Sequence, residues 1–161
     1  MEKLNFYVLP DEYISYMSTY DKRICFNKKH KRPYIGIVFK VDKINYFAPF
    51  TSPKPKHKTM KKAIDYVKID DGNLGIINLN NMIPVPLEIC KNVNIKNMDQ
   101  TKYKRLMQKQ YLWCNVEENY NNIILSAKRL YYLVTNDKCS KNLLDRCCNY
   151  KLLEKVYVNY K

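Results

Sequence analysis

The chain has 161 residues, 46% of them hydrophobic and 27% charged, which suits one globular domain over residues 1–161 and excludes a disordered chain. Lys and Arg number 29 against 15 Asp and Glu, a formal net charge of +14; so basic a surface seeks phosphate or an anionic membrane, and nucleic acid is the favoured partner. No apolar run approaches the ~20 residues of a membrane span, and Met1–Phe6 lacks a basic-then-apolar leader, so a cytoplasmic protein without a membrane partner is expected.

Lys3 to Leu9 predicts a short strand, followed by a helix over Glu12–Ser18 with Asp11 as its N-cap and Tyr13, Met17 and Tyr20 on its apolar face. A basic stretch follows, holding Lys28, Lys29, His30, Lys31 and Arg32. Pro33–Val41 and Ile44–Phe50 read as a hairpin of two buried strands turning near Asp42-Lys43, and Gly36 inside the first marks a bulge or a close backbone approach. The hairpin runs out into Thr51-Ser52-Pro53-Lys54-Pro55-Lys56-His57-Lys58, where alternate prolines predict an extended, exposed segment. Tyr66–Ile69 and Leu74–Asn78 read as strands around an Asp70–Asn73 turn, and Leu87–Cys90 as a last strand.

From Asp99 the period changes. Tyr103, Leu106, Met107, Tyr111 and Cys114 mark an amphipathic helix with Lys102, Lys104, Arg105 and Lys109 on its other sides. A second stripe runs Tyr120, Ile123, Ile124, Ala127, Leu130, Tyr131, Val134, and Asn142–Tyr157 holds one or two short helices. Strands first and helices after predict an α+β fold: an antiparallel sheet with helices to one side and a mainly helical C-terminal half.

The six cysteines form no Cys-x-x-Cys pair and have no histidine at zinc spacing, so neither a disulfide nor a metal is expected; Cys114 reads as a small core residue. Three glycines cannot build the usual phosphate-cradling loop, acidic residues do not cluster for two-metal chemistry, and no cofactor motif is present. An enzyme of this composition would be metal-free and cofactor-free, working with hydroxyls and cations. Thr51, Ser52 and Lys54 suit that: two hydroxyls and an ammonium can hold a phosphate and offset the charge it gains in a pentacovalent transition state. RNA supplies its own nucleophile in the 2′-OH. An ordinary Ser/Thr turn leaving a strand would look the same. His30, His57 and Lys31 are candidate proton shuttles, His57 standing nearer the loop of the two histidines, but for each histidine a solvated loop residue among lysines is the favoured reading. Phosphate contacts are expected from Lys28, Lys29, Lys31, Arg32, Lys56, Lys58, Lys61, Lys62, Lys102, Lys104, Arg105 and Lys109. A non-catalytic RNA-binding module with stacking tyrosines is the alternative function.

Tyr34-Ile35-Gly36-Ile37-Val38, then Tyr46-Phe47-Ala48-Pro49-Phe50-Thr51-Ser52-Pro53-Lys54, resembles the ToxN/AbiQ family of type III toxin–antitoxin endoribonucleases. Leu74–Leu79 with Met82-Ile83-Pro84, Tyr103-Lys104-Arg105 with Lys109-Gln110, and Asn149–Glu154 are similar to its later blocks, in the family's order. The resemblance implies a compact, twisted SH3-like β-barrel core of Kid/MazF type with helices around it. It implies metal-independent RNA cleavage leaving a 2′,3′-cyclic phosphate and a 5′-OH. It implies an inhibitory pseudoknot RNA antitoxin, repeated in its gene, that binds a basic groove and assembles with the toxin, with a role in abortive phage infection or plasmid maintenance. On the family's pattern Thr51, Ser52 and Lys54 form the active loop, and Arg32 takes the basic position before the glycine strand, where it can clamp a phosphate but shuttles protons poorly. The family's upstream Tyr has no counterpart where Lys28 and Lys29 stand.

Overall fold

The computed structural model describes residues 2–24, 35–99 and 101–161. A mixed α/β architecture is observed, with an antiparallel sheet and helices around it. The elements are β1 (Phe6–Val8), α1 (Asp11–Ser18), β2 (Ile35–Val41), β3 (Ile44–Thr51), α2 (Pro55–Thr59), β4 (Val67–Lys68), β5 (Ile76–Ile77), β6 (Ile83–Pro84), β7 (Lys91–Asn92), α3 (Lys102–Cys114), α4 (Glu117–Thr135), α5 (Lys141–Arg146) and α6 (Tyr150–Tyr157).

The β2–β3 hairpin is the spine. Its register runs from Val41 opposite Ile44 to Gly36 opposite Pro49, and the two-residue turn places Asp42 at φ 54, a left-handed conformation that Asp tolerates better than most residues. β3 then does double duty. Tyr46 and Phe47 pair with Pro84 and Ile83 of β6, while Phe50 and Thr51 pair with Ile77 and Ile76 of β5. The sheet order is β4-β5-β3-β2-β1-β7, with β6 branching from β3. The end strands β4 and β7 do not pair with each other among the described residues, so the sheet stays open. Pro84 is accommodated because β6 is an edge, where a missing N–H breaks no ladder.

Gly36 is the close approach that its place in a strand predicts. A Cβ there would lie 2.2 Å from the Ala48 carbonyl oxygen and 2.7 Å from the Phe47 ring. Tyr13, Ile14 and Met17 of α1, Phe6, Ile37, Tyr46 and Phe47 of the sheet, Ile123, Ala127 and Leu130 of α4, and Tyr150 and Leu153 of α6 share one buried cluster that also holds Cys114. The α4 stripe and the two short C-terminal helices follow the sequence period. Ser140 and Asn149 cap α5 and α6, accepting from the Leu143 and Leu152 backbone N–H groups.

Four expectations are corrected. Asp11 is the first residue of α1 rather than its cap, because Pro10 takes the cap position, and Ile14 rather than the half-exposed Tyr20 completes the buried face. Residues 55–59 are helical, not extended. Lys54 is extended at φ −130, ψ 152, as a residue before proline must be, and Pro55 then starts the helix, where its missing N–H has no intrahelical partner to lose. Leu87–Ile89 forms a 3-10 turn behind Pro86, and the final strand is Lys91–Asn92. The α3 core face is turned to Lys104, Met107, Gln110 and Cys114. Among the described residues, no helix is long and apolar enough to cross a membrane.

Gly36→Ala is expected to destabilise the chain by about 1–3 kcal/mol, the usual range for an overpacked core, read as a lower urea midpoint at unchanged slope.

Candidate active site

Thr51 ends β3 opposite Ile76, and Ser52-Pro53-Lys54 carries the chain into α2. Thr51 and Ser52 are half-buried and Lys54 is exposed. This loop lies flat against the turn that joins β4 to β5. A Cβ on Gly75 would sit 2.2 Å from the Thr51 carbonyl oxygen, and one on Gly72 would sit 2.4 Å from the His57 carbonyl oxygen. Both glycines have positive φ, +99 and +91. They are therefore required twice over, by conformation and by contact. Asp70 and Asp71 precede them at φ 50 and 52, so Asp70, Asp71 and Gly72 are three positive-φ residues in a row before Asn73 returns to φ −63. It is closed by the Ile69 N–H donating to the Gly75 carbonyl at 3.0 Å and the Leu74 N–H donating to the Ile69 carbonyl at 3.1 Å.

Side chains fix the loop from three directions. Asn78 Nδ2 donates to Thr51 Oγ1 at 2.6 Å while the Asn78 backbone N–H donates to the Pro49 carbonyl at 2.9 Å. With its oxygen occupied by that amide, the Thr51 hydroxyl keeps its proton to donate outward. Gln110 of α3 is buried, and its Nε2 donates to the Leu74 carbonyl at 2.9 Å, holding the turn from behind. The third tie is reciprocal. The Lys54 N–H donates to His57 Nδ1 at 3.1 Å, and the His57 N–H donates to the Lys54 carbonyl at 2.9 Å, a capping pair that closes the first turn of α2. Among the described residues the Ser52 hydroxyl makes no hydrogen bond.

His57 corrects an expectation. It is not a solvated loop residue but fully buried, at 0% exposure. Burial pushes its pKa down, and the ammonium groups of Lys56, Lys54 and Lys68 push it further. A neutral ring with Nδ1 accepting must carry its proton on Nε2, which is buried without a hydrogen-bond partner among the described residues. An enclosed ring engaged in a cap is poorly placed to shuttle protons to RNA; its role in this geometry is to set the Lys54 backbone.

Lys104 is the other correction. Only 5% exposed, it donates from Nζ to the Lys96 carbonyl at 3.1 Å and so is withdrawn from the phosphate-contacting face. The rotation of α3 that buries Gln110 buries Lys104 too, and each long polar side chain finds a carbonyl at the core edge. Lys56, Lys58, Lys61 and Lys62 stay exposed beside the loop, and Lys102, Arg105 and Lys109 stay exposed on α3. Lys28, Lys29, His30, Lys31 and Arg32 lie outside the described residues. Three contributors were not singled out as site residues: Asn78 and Gln110, which the sequence shows only as members of the family-like blocks, and Lys68, whose Nζ lies 3.4 Å from the Lys58 carbonyl at the C-terminal end of α2. The two glycines bracketing Asn73-Leu74 were the available hint, since glycine so close to a turn marks backbone packed on backbone.

The loop thus carries two hydroxyls and an ammonium, backed by close backbone packing, on a strongly basic chain. A family model described as toxin ToxN of type III toxin–antitoxin systems matches residues 5–158, and the chain belongs to that family. It is 34% identical over 164 residues to the endoribonuclease ToxN of Bacillus thuringiensis subsp. kurstaki, covering 97% of this chain and 84% of that one. It superposes with TM-score 0.80 and 30% identity on a solved type III toxin whose report concerns selective toxin inhibition by a non-coding RNA pseudoknot, covering 99% of this chain and 98% of that one. It superposes with TM-score 0.82 and 25% identity on AbiQ, a lactococcal anti-phage endoribonuclease, covering 99% and 98%.

Asn78→Ala is expected to cost about 1 kcal/mol, the worth of one side-chain hydrogen bond, and to loosen Thr51, seen as faster exchange of loop amides. The His57 cap sets a pH dependence. Because the folded pKa is lowered, its contribution is complete above the ordinary imidazole value of 6.5 and is lost as pH falls through the folded value. Urea midpoints compared at pH 7.5 and pH 5 should fall further for the parent chain than for His57→Ala.

Proposed function

We propose that this chain is a metal-independent endoribonuclease toxin of a type III toxin–antitoxin system, with Thr51-Ser52-Pro53-Lys54 as its active loop. The carrying observation is the held geometry of that loop: Thr51 fixed by Asn78, the Lys54 backbone fixed by His57, with Ser52 half-buried and Lys54 exposed between these ties. In this reading the Ser52 hydroxyl and the Thr51 proton donate to the non-bridging oxygens of the scissile phosphate, and the Lys54 ammonium offsets the charge that grows on it. The 2′-oxygen of the adjoining ribose forms the new bond to phosphorus as the bond to the 5′-oxygen breaks, leaving a 2′,3′-cyclic phosphate and a 5′-OH. The donor set favours this route, since neutral hydroxyls and an ammonium are poor ligands for a divalent ion. Arg32 takes the role of a second phosphate clamp, and proton transfer falls to the segment that holds His30 and Lys31.

The inhibitory partner is a pseudoknot RNA, bound along the basic face that Lys56, Lys58, Lys61 and Lys62 extend from the loop, with Lys102, Arg105 and Lys109 as further phosphate contacts. The substrates are cellular or phage RNA, and the biological output is abortive infection or plasmid maintenance from the cytoplasm. We also read the chain as one domain, supported by a single core reaching from Leu4 to Leu153. The sheet reads as an opened SH3-like core of Kid/MazF type, supported by the way β3 serves β2, β5 and β6 along one strand.

Ser52→Ala and Lys54→Ala are each expected to lower RNA cleavage by about 100-fold or more and to abolish growth arrest, with the fold retained and cleavage by the parent persisting in EDTA. Growth arrest by both variants would remove the loop from the chemistry, and loss of parental cleavage in EDTA would contradict the metal-free route.

A further inference from the structure

The chain has one tryptophan, Trp113, near the C-terminal end of α3. The tyrosines and phenylalanines of the core meet other rings edge-on or stacked, as Phe6 meets Phe50 and Tyr131 meets Tyr150. Trp113 meets no other ring among the described residues. It is half-buried and lines a cleft of about 410 Å³ between the end of α3, the start of α4 and the β4 side of the active-loop support. That size falls within the ~300–1,000 Å³ of small-ligand sites.

The polar groups around the ring come in complementary kinds. Asn119 Nδ2 donates to the Trp113 carbonyl at 2.9 Å, which leaves its Oδ1 as an acceptor. Three residues along the same helix, the Asn122 Oδ1 accepts from the Ser126 hydroxyl at 3.5 Å, which leaves its amide hydrogens as donors. One wall thus presents an acceptor and a donor one helical turn apart beside an indole. The edge of every nucleobase carries both kinds of group. Lys62 and Lys68 line the opposite wall, and the Lys68 ammonium also reaches the end of α2, the helix that continues from the active loop. Asp70 and Asp71 stand on the same rim, where their carboxylates would repel a phosphate but accept from base N–H groups.

We infer that this cleft is a nucleotide subsite: an unstacked base of the RNA strand crossing the active loop lies against Trp113 with its edge toward Asn119 and Asn122, while Lys62 and Lys68 hold the adjoining phosphates. The inference rests on the reading that the chain binds RNA, and adds an anchor for the strand that Lys68 links to the far end of α2. One base seated there sets which phosphate reaches Ser52, so the cleft selects the cleavage register.

The single tryptophan makes the test site-specific. The Ser52→Ala protein is titrated with an eight-nucleotide single-stranded RNA carrying a 3′ fluorophore, and label anisotropy and tryptophan emission are read together. Anisotropy is expected to rise and emission to be quenched with the same midpoint. Trp113→Ala in the same background should weaken binding by about 5- to 100-fold, the loss of one base–aromatic stack, and Trp113→Phe should recover most of it. Asn122→Asp, an exposed change on α4 that leaves packing untouched, should weaken binding as well, and decides the matter if Trp113→Ala fails to fold. Rising anisotropy with unchanged emission, or Asn122→Asp binding like its parent, would overturn the subsite while leaving RNA binding intact. No rise in anisotropy would overturn the RNA reading itself, and the subsite with it.

Discussion

Backbone pressed on backbone is the constraint on which the site depends. The Thr51 and His57 carbonyls lie so close to the turn between β4 and β5 that the space beside them has no room for a side chain, and Gly75 and Gly72 stand there. Gly36 does the same for the Ala48 carbonyl within the hairpin. Each glycine of the chain therefore backs the segment from Ala48 to His57. A loop that carries hydroxyls and an ammonium would ordinarily be mobile and would lose entropy on gripping a phosphate. Here that entropy is lost on folding, and the groups are ready before the ligand arrives.

The support continues outward in layers. α3 reaches the turn through Gln110, the turn reaches the loop through the glycines, and Asn78 reaches Thr51 from just beyond β5. His57 belongs to this scaffold. A buried neutral imidazole next to three lysines is costly to protonate, and that keeps Nδ1 available as an acceptor for the Lys54 N–H. The lysines thus hold the cap in its accepting form.

Much of this could be read from the chain before folding, and the reasons for the exceptions are physical. The hairpin, the α4 stripe and the two short terminal helices declare themselves because their apolar periods are long and uninterrupted. The position of Thr51-Ser52-Pro53-Lys54 at the end of a buried strand was legible because that strand's apolar run stops at Phe50. The prolines misled at Pro55 because proline favours both extended chain and the first turn of a helix, and only the tertiary partner decides. His57 and Lys104 misled for a related reason: flanking lysines make a position look wet, while burial depends on what packs from elsewhere in the chain. Asn78 and Gln110 are uncharged amides with no spacing rule of their own. Their importance comes from the carbonyl or hydroxyl they meet, which is information of the fold and not of the local sequence.

The proposed activity needs a loop that is both exposed and still, and the glycine turn packed behind it supplies the stillness. Amide hydrogen exchange at Lys54 and His57, measured alongside RNA cleavage in the parent and in Gly75→Ala, tests this most directly. The account predicts slow exchange at both amides in the parent, and faster exchange with a parallel fall in cleavage in the variant. Full cleavage from a variant whose Lys54 and His57 amides exchange freely would contradict it.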